Sequence, residues 1–394
     1  MRYDYDYLIV GAGMVSANAT AGIRERDERG SIGIVGSEPN GPVTRPALSK
    51  KLWTDPEFGF DKIWMKPEDK GATLHADTRI VSLDRDHRTV TADNGDVFGY
   101  GRLLIATGGE PKKLDLAPSE RVLYFRTVKD YRRLRELAGS QRHIAVVGGS
   151  YIGTELAAAL ALNDTRVTLI HPEQVLGDRV FPPDLARRFQ EMYHAHGVTL
   201  MGGRRLASGR QDDDTVTLTL DSGETVTADA VALGLGVEPV CDFAAAAGLA
   251  VDDGIVVDEM LRTSDPNIFA AGDVASYPDN LLGRQRAEHV DNANRMGQQA
   301  GAIMAGSEAP YTHTPYFYSN VFELGYQAVG TLDSSLRTIE DWQEPQSRGV
   351  VYYLEEDVVK GVLLVNLKER LDAAREVIKE RTPGDREALI GRIR

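Results

Sequence analysis

A single cysteine, Cys241, stands in a chain of 394 residues, so neither an internal disulfide nor a two-cysteine redox centre can form. Cys241 itself reads as an inert buried thiol. No stretch approaches 18 consecutive apolar residues, so no membrane-spanning helix is expected. The opening MRYDYDYLIVGAG has neither the basic start nor the small-residue cleavage site of a signal peptide, and a cytoplasmic location is the default expectation. Positive charge is in the minority: 45 Lys and Arg against 59 Asp and Glu leave a net charge of −14. That balance repels nucleic acid and acidic membranes, and no nucleic-acid partner is expected. What remains is the composition of an ordinary globular protein, long enough for two to three domains of about 100–200 residues each.

The chain is organised around YLIVGAGMVSANA, residues 7–19. Leu8, Ile9 and Val10 are branched and apolar, as in a strand of a parallel sheet covered on both faces. Gly11 and Gly13 follow, and Ser16 occupies the third small position of a Gly-x-Gly-x-x-small turn. In such a strand–turn–helix unit the first glycine makes the tight turn. The second lets backbone approach a pyrophosphate seated on the helix N-terminus. A second strand is predicted over Ser31–Val35, with Glu38 just beyond it to accept from a ribose hydroxyl. Together these features point to dinucleotide binding.

Along the chain, Met14 to Arg29 reads as a helix capped by Gly30. The stretch EPNGPVTRPALSKKLW is too punctuated for regular structure, and by itself makes Arg45, Ser49 and Lys50 solvated loop residues. Residues 77–106 hold two strands joined at Asn94-Gly95. They lead into the buried strand Leu103–Ala106 and the turn Thr107-Gly108-Gly109. Thr127 caps an amphipathic helix, Lys129–Ala138. The pattern then repeats: strand Ile144–Val147, the turn Gly148-Gly149-Ser150-Tyr151-Ile152-Gly153, helix Glu155–Leu162, strand Arg166–Ile170 and an acid, Glu173. A charged helix over 184–196 and a hairpin turning at Asp221-Ser222-Gly223 follow, then an apolar strand, Ala230–Gly236, ending in glycines. Matched order in both halves predicts two nucleotide-binding domains of similar build. Ser150 stands where the second glycine belongs. Either the backbone there stands off the pyrophosphate, or the hydroxyl bonds a phosphate oxygen. Asn267–Val274 reads as a strand ending at Gly272-Asp273, and Glu288–Met304 as a helix. From Tyr311 the chain turns aromatic, with strands near Val350–Leu354 and Gly361–Val365 and a helix Lys368–Lys379 before Pro383, a small α+β unit.

The order of GAGMVS, RPALSK, LLIATGG, VVGGSYIGTE, GLGVEP and IFAAGDV resembles flavoproteins related to glutathione reductase. RPALSKKLW, FYSNVFELGYQAVG and VVYYLEEDVVKGVLLVN are more specific. They resemble the apoptosis-inducing factor family and its neighbours, the ferredoxin and rubredoxin reductases of bacterial oxygenase systems. The likeness covers nearly the whole chain. It implies an α/β fold with two Rossmann-like domains, an FAD domain (1–110 and 241–309) interrupted by an NAD domain (111–240), plus a C-terminal α+β domain (310–394). It places Gly11, Gly13, Ser16, Glu38, Arg45, Lys50, Gly272 and Asp273 at FAD, with Thr107 and Gly108 passing near the nucleotide. Gly148, Gly153, Glu155 and Glu173 fall at the nicotinamide nucleotide, and Tyr151 at an aromatic that covers the flavin face. Glu288 and His289 match the start of the helix facing the flavin pyrimidine ring. Tyr318 matches an aromatic beside the flavin that is usually tryptophan.

The implied activity is that of an FAD-dependent NAD(P)H oxidoreductase without a redox disulfide: hydride passes to flavin N5 and electrons leave to a separate acceptor. Lys50, Glu155 and His289 are the catalytic candidates, with Lys50 and Glu155 paired beside N5. No metal is called for. Glu173 favours NADH over NADPH, because a carboxylate accepts from the 2′-hydroxyl and repels a 2′-phosphate. The acceptor is a quinone, another small molecule or a small redox protein. The spacing FYSNVFELGY and the acidic charge favour the apoptosis-inducing-factor branch over a ferredoxin or rubredoxin reductase. A redox-sensing scaffold with little turnover is the third reading, and a homodimer is left open.

Overall fold

The computed structural model describes residues 1–381 and 384–394; Pro383 lies outside the described residues. The chain forms two compact units. The first comprises Met1–Arg45, Asp61–Glu110 and Glu238–Pro315, the second Pro46–Phe60, Pro111–Val237 and Tyr316–Arg394. Among the described residues no helix is long and apolar enough to cross a membrane.

In the first unit, strands Ala72–His75, Ile32–Val35, Arg2–Val10, Val97–Ile105 and Ile268–Ala270 lie side by side and parallel. Leu8, Ile9, Val10, Leu103, Leu104 and Ile105 are buried on both faces, as their unbroken apolar runs require. The Asn94-Gly95 turn joins Thr89–Ala92 to Val97–Ile105 in antiparallel register. The hairpin strand and the predicted core strand are therefore one strand of nine residues, parallel to Arg2–Val10 along its length and antiparallel to Thr89–Ala92 at its start.

The second unit repeats the order: Thr199–Met201, Arg166–Ile170, His143–Val147, Ala230–Leu233 and Val122–Tyr124, all parallel. The register repeats too, Val10 pairing with Val35 as Val147 pairs with Ile170. The hairpin turning at Asp221-Ser222-Gly223 gains a third strand, Leu206–Gln211. The aromatic C-terminal segment makes a five-stranded antiparallel sheet with helix Leu371–Lys379 packed on it.

Three expectations need correction. Helix Met14–Arg24 stops well short of Arg29. Asp27 holds the charged run in a turn, accepting from the N–H groups of Arg29 and Gly30 and from the Tyr7 hydroxyl. Arg24 donates to the carbonyls of Asp27 and Gly30, so the turn, not Gly30, terminates the helix. The RPALSKKLW stretch is not irregular: it forms a 3-10 turn, Arg45–Leu48, and a one-turn helix, Lys51–Thr54. The helix predicted over Glu288–Met304 begins at Val290, so Glu288 and His289 precede it, His289 as its N-cap.

Gly11 and Gly148 show why both turns need glycine. Each has φ of 119°. A Cβ would lie 2.0 Å from the Ala106 carbonyl oxygen in one case and 2.3 Å from that of Gly234 in the other. Thr127 caps the Val128–Leu137 helix in a reciprocal box with Asp130. Thr127→Ala should cost about 1 kcal/mol. Gly148→Ala should cost more than about 1 kcal/mol, through left-handed backbone and steric clash. Urea unfolding measures both, and an unchanged midpoint for Gly148→Ala would contradict the strain.

Candidate active site

In each unit the Gly-rich turn and the acid after the second strand sit at the carboxyl ends of the parallel strands, where ligands of open α/β sheets bind. In the first unit Gly11 follows Val10, Glu38 lies three residues past Val35, Thr107 follows Ala106, and Gly272 opens a 3-10 turn after Ile268–Ala270. Helix Met14–Arg24 starts with no side-chain cap and no acid in its first turn, which leaves its first N–H groups for an anion. A Cβ built at Gly13 would meet nothing within 4 Å, so the backbone there faces open space. The Ser16 hydroxyl instead turns inward and donates to the Gly13 carbonyl at 2.7 Å. Glu38 and Arg45 form an ion pair, both partly buried. The Thr107 hydroxyl donates to the Val240 carbonyl at 2.6 Å, and Gly108 accepts from the Val240 N–H at 3.0 Å. These groups fit a dinucleotide: an open phosphate cradle, a bare helix N-terminus and a carboxylate where a ribose would lie.

Arg286 organises the other end of this unit. It donates to the Asp273 carbonyl at 3.1 Å and pairs with Glu288 at 2.6 Å and Asp253 at 3.1 Å. Glu288 is thus drawn to Arg286 on the surface. Burial pulls the half-buried His289 down to about 4, against the opposing pull of Asp273 and Asp291, so its imidazole is neutral at physiological pH.

In the second unit Gly148 follows Val147 and Glu173 lies three residues past Ile170, as Glu38 does in the first. Helix Tyr151–Ala161 again begins with neither side-chain cap nor acid in its first turn. Gly153 packs against the turn, where a Cβ would lie 1.8 Å from the Gly148 carbonyl oxygen. Ser150 is exposed, its hydroxyl only 3.5 Å from the Gly234 carbonyl. Tyr151 is T-shaped to Phe317 at 5.5 Å, and burial pushes its phenol well up, so it stays neutral.

One helical turn on, Glu155 is 3% exposed and fully partnered. Oε1 receives Lys50 Nζ at 2.8 Å and the Ser319 hydroxyl at 2.7 Å. Oε2 receives the Ser49 hydroxyl at 2.7 Å. The Lys50 ammonium also sits 4.6 Å from the centre of the Tyr318 ring. Lys50, Tyr151, Glu155 and Tyr318, distant in sequence, therefore gather in one unit. Reading the sequence missed Ser49 and Ser319 as partners of Glu155. Each adjoins a residue already singled out, Lys50 and Tyr318, which was the available signal. Arg286 carried no motif and left none.

Comparison with known proteins agrees with this architecture. The pyridine nucleotide-disulphide oxidoreductase family matches residues 5–297. The C-terminal domain of mitochondrion-associated apoptosis-inducing factor matches residues 300–348. The chain is 30% identical to putidaredoxin reductase of Pseudomonas putida, over 97% of this chain and 94% of that one. It is also 30% identical, over 95% of its length, to a Drosophila melanogaster relative named for apoptosis-inducing factor 1, of which it spans 63%. A chain of the covalent putidaredoxin reductase–putidaredoxin complex superposes with a TM-score of 0.88 at 29% identity, covering 97% of this chain and 96% of that one. The Gly-rich turns, the paired parallel sheets and these matches together make the chain a member of the pyridine nucleotide-disulphide oxidoreductase family, an FAD-dependent enzyme of the apoptosis-inducing-factor and ferredoxin-reductase type.

Proposed function

We propose that the protein oxidises NADH and delivers the electrons to a separate acceptor, in the first place a small redox protein. The observation that carries the reading is the Lys50–Glu155 pair, a cation held at fixed position by a buried carboxylate that also accepts from two serine hydroxyls. Bound FAD would supply a ring that accepts a hydride and releases electrons singly. Gly11, Gly13, Ser16, Glu38, Arg45, Thr107, Gly108, Gly272 and Asp273 would hold it. Gly148, Ser150, Gly153 and Glu173 would take the nicotinamide nucleotide, with Glu173 selecting NADH. Lys50 would favour arriving electron density, and Glu155 holds its ammonium in place. Tyr151 and Tyr318 would line the ring. The N-terminus of helix Val290–Met304 would add a partial positive charge, with His289 neutral beside it.

The full-length match to a reductase, against partial coverage of the fly apoptosis-factor relative, supports a protein acceptor. A second reading rests on the net charge of −14, which opposes docking of an acidic partner and favours a quinone or slow turnover. Steady-state NADH oxidation with ferricyanide, quinone, a 2Fe–2S ferredoxin and rubredoxin separates them. Negligible rates with all four after normal flavin reduction would sink the reductase reading in favour of a scaffold.

Two further outcomes are expected. Lys50→Met and Glu155→Gln, each retaining FAD, should slow anaerobic reduction by NADH about tenfold or more, at least about 1.4 kcal/mol in the barrier. Ser319→Ala should have a smaller effect in the same direction, because Glu155 keeps two partners. Wild-type rates in both charge variants would make the pair structural. The second outcome concerns His289. The unfolded chain binds its imidazole proton near the ordinary value of about 6.5, the native chain only near 4. Stability therefore falls as pH drops between these values. From pH 7 to 5, His289→Asn should lose about 2 kcal/mol less than wild type in urea unfolding. Equal losses would contradict an imidazole held neutral in the folded protein.

A further inference from the structure

His171 directly follows the Arg166–Ile170 strand, and what is inferred for it rests on the reading of Gly148–Gly153 and Glu173 as the nicotinamide-nucleotide site. The side chain is 0% exposed, and neither ring nitrogen has a hydrogen-bond partner among the described residues. Buried polar groups left in this state call for an explanation. Its Nδ1 lies 3.5 Å from Glu173 Oε2, close enough for an ion pair but without hydrogen-bond geometry, and that oxygen too is buried and unpartnered.

The internal repeat shows how the ring is accommodated. The matched strand registers make Gly36 the counterpart of His171, and Ala12 the counterpart of Gly149. In the first unit a Cβ at Gly36 would lie 2.3 Å from the Ala12 Cβ. In the second, a Cβ at Gly149 would lie 2.9 Å from the His171 Cβ and 2.6 Å from Glu173 Oε2. The second phosphate turn thus lacks a side chain where the first carries one, and an imidazole and a carboxylate fill the space.

We propose that His171 is a proton-sensitive specificity determinant, its ring setting how strongly Glu173 rejects a 2′-phosphate on the adenosine ribose. With a neutral ring, Glu173 carries its full negative charge, accepts from the ribose hydroxyls and repels a 2′-phosphate. With a protonated ring, the two form an ion pair and the repulsion falls. Discrimination against the 2′-phosphorylated nucleotide therefore weakens when the ring takes up a proton as pH drops. His171 acts through Glu173 and is a positioning residue.

The surrounding groups support this. Arg179 lies 3.7 Å from Glu173 Oε1 and is largely exposed, so it supplies positive charge once Glu173 is neutralised. The turn after Thr199–Met201 brings Gly202, without a side chain, against the His171 ring, while Gly203 faces the Gln174 side chain and donates its N–H to the Glu173 carbonyl at 2.6 Å. Arg204 donates its N–H to the His171 carbonyl but commits its guanidinium to Glu224 at 2.8 Å. The Gly148-Gly149 turn brings no charge. Glu173 is thus the one acid facing the ring among these elements.

The test uses the FAD-loaded enzyme and two redox-inert probes, ADP-ribose and its 2′-phosphate, titrated calorimetrically at about pH 8 and about pH 5.5 at constant ionic strength. The ratio of their Kd values should drop about tenfold more in the wild type than in His171→Gln. Because both proteins meet the same ligands, titration of the 2′-phosphate itself, with a pKa near 6, cancels. Equal drops, with ADP-ribose binding intact, overturn the role of His171 alone. Failure of ADP-ribose to bind the wild type at either pH overturns the nucleotide-site reading and this inference with it. His171→Asn replaces the glutamine variant should that fold poorly. If neither folds, NMR decides: an imidazole of His171 that does not titrate between those pH values overturns the proposal.

Discussion

A carboxylate with 3% exposure has to be compensated atom by atom, and the three groups that compensate Glu155 come from two stretches of chain remote from it in sequence. Ser49 and Lys50 lie in the short segment Pro46–Phe60, Glu155 in 111–237 and Ser319 in the C-terminal sheet, all of one compact unit. Such a group tolerates no partial solution, because removing one partner leaves desolvated charge behind. The satisfied carboxylate is thus one reason why the RPALSK turn is ordered rather than a solvated loop.

The two parallel sheets share strand order and register, and what differs between them lies in a few positions around the phosphate turns. Ser16 turns its hydroxyl inward where Gly153 packs bare backbone. Ser150 is exposed where Gly13 leaves open space. His171 and Gly149 exchange bulk relative to Gly36 and Ala12. The scaffold constrains the backbone in the same way twice, and these side chains give each copy its own chemistry.

How far the sequence could be read follows from the range of the forces involved. Buried parallel strands advertise themselves as unbroken apolar runs, and a glycine with φ of 119° against a carbonyl is required locally, so both turns and the repeat were legible. Helix ends were less so. Gly30 resembled a cap, but the Asp27 turn and Arg24 end the Met14–Arg24 helix first, through contacts that a periodicity does not contain. Lys50 and Glu155 were legible through resemblance alone, since their meeting spans the fold. Ser319 was not, since its one signal, adjacency to Tyr318, does not say that a carboxylate lies opposite.

The energetics of the pair argue that its value lies in chemistry more than in stability. Replacing a buried ion pair by apolar groups of similar volume is often neutral or stabilising by about 1–4 kcal/mol, so folding alone gives little reason to keep one. Here two serine hydroxyls and the face of Tyr318 are arranged to retain a 17%-exposed lysine beside its acid. Two apolar side chains would fill the same volume without any of these partners, but would put no charge at a defined place. A fixed cation stabilises negative charge without having to reorganise when that charge appears, and in a water-poor site the effect is far larger than in solvent. The structural expense of Glu155 therefore makes physical sense if Lys50 must meet electron density arriving on a bound ring.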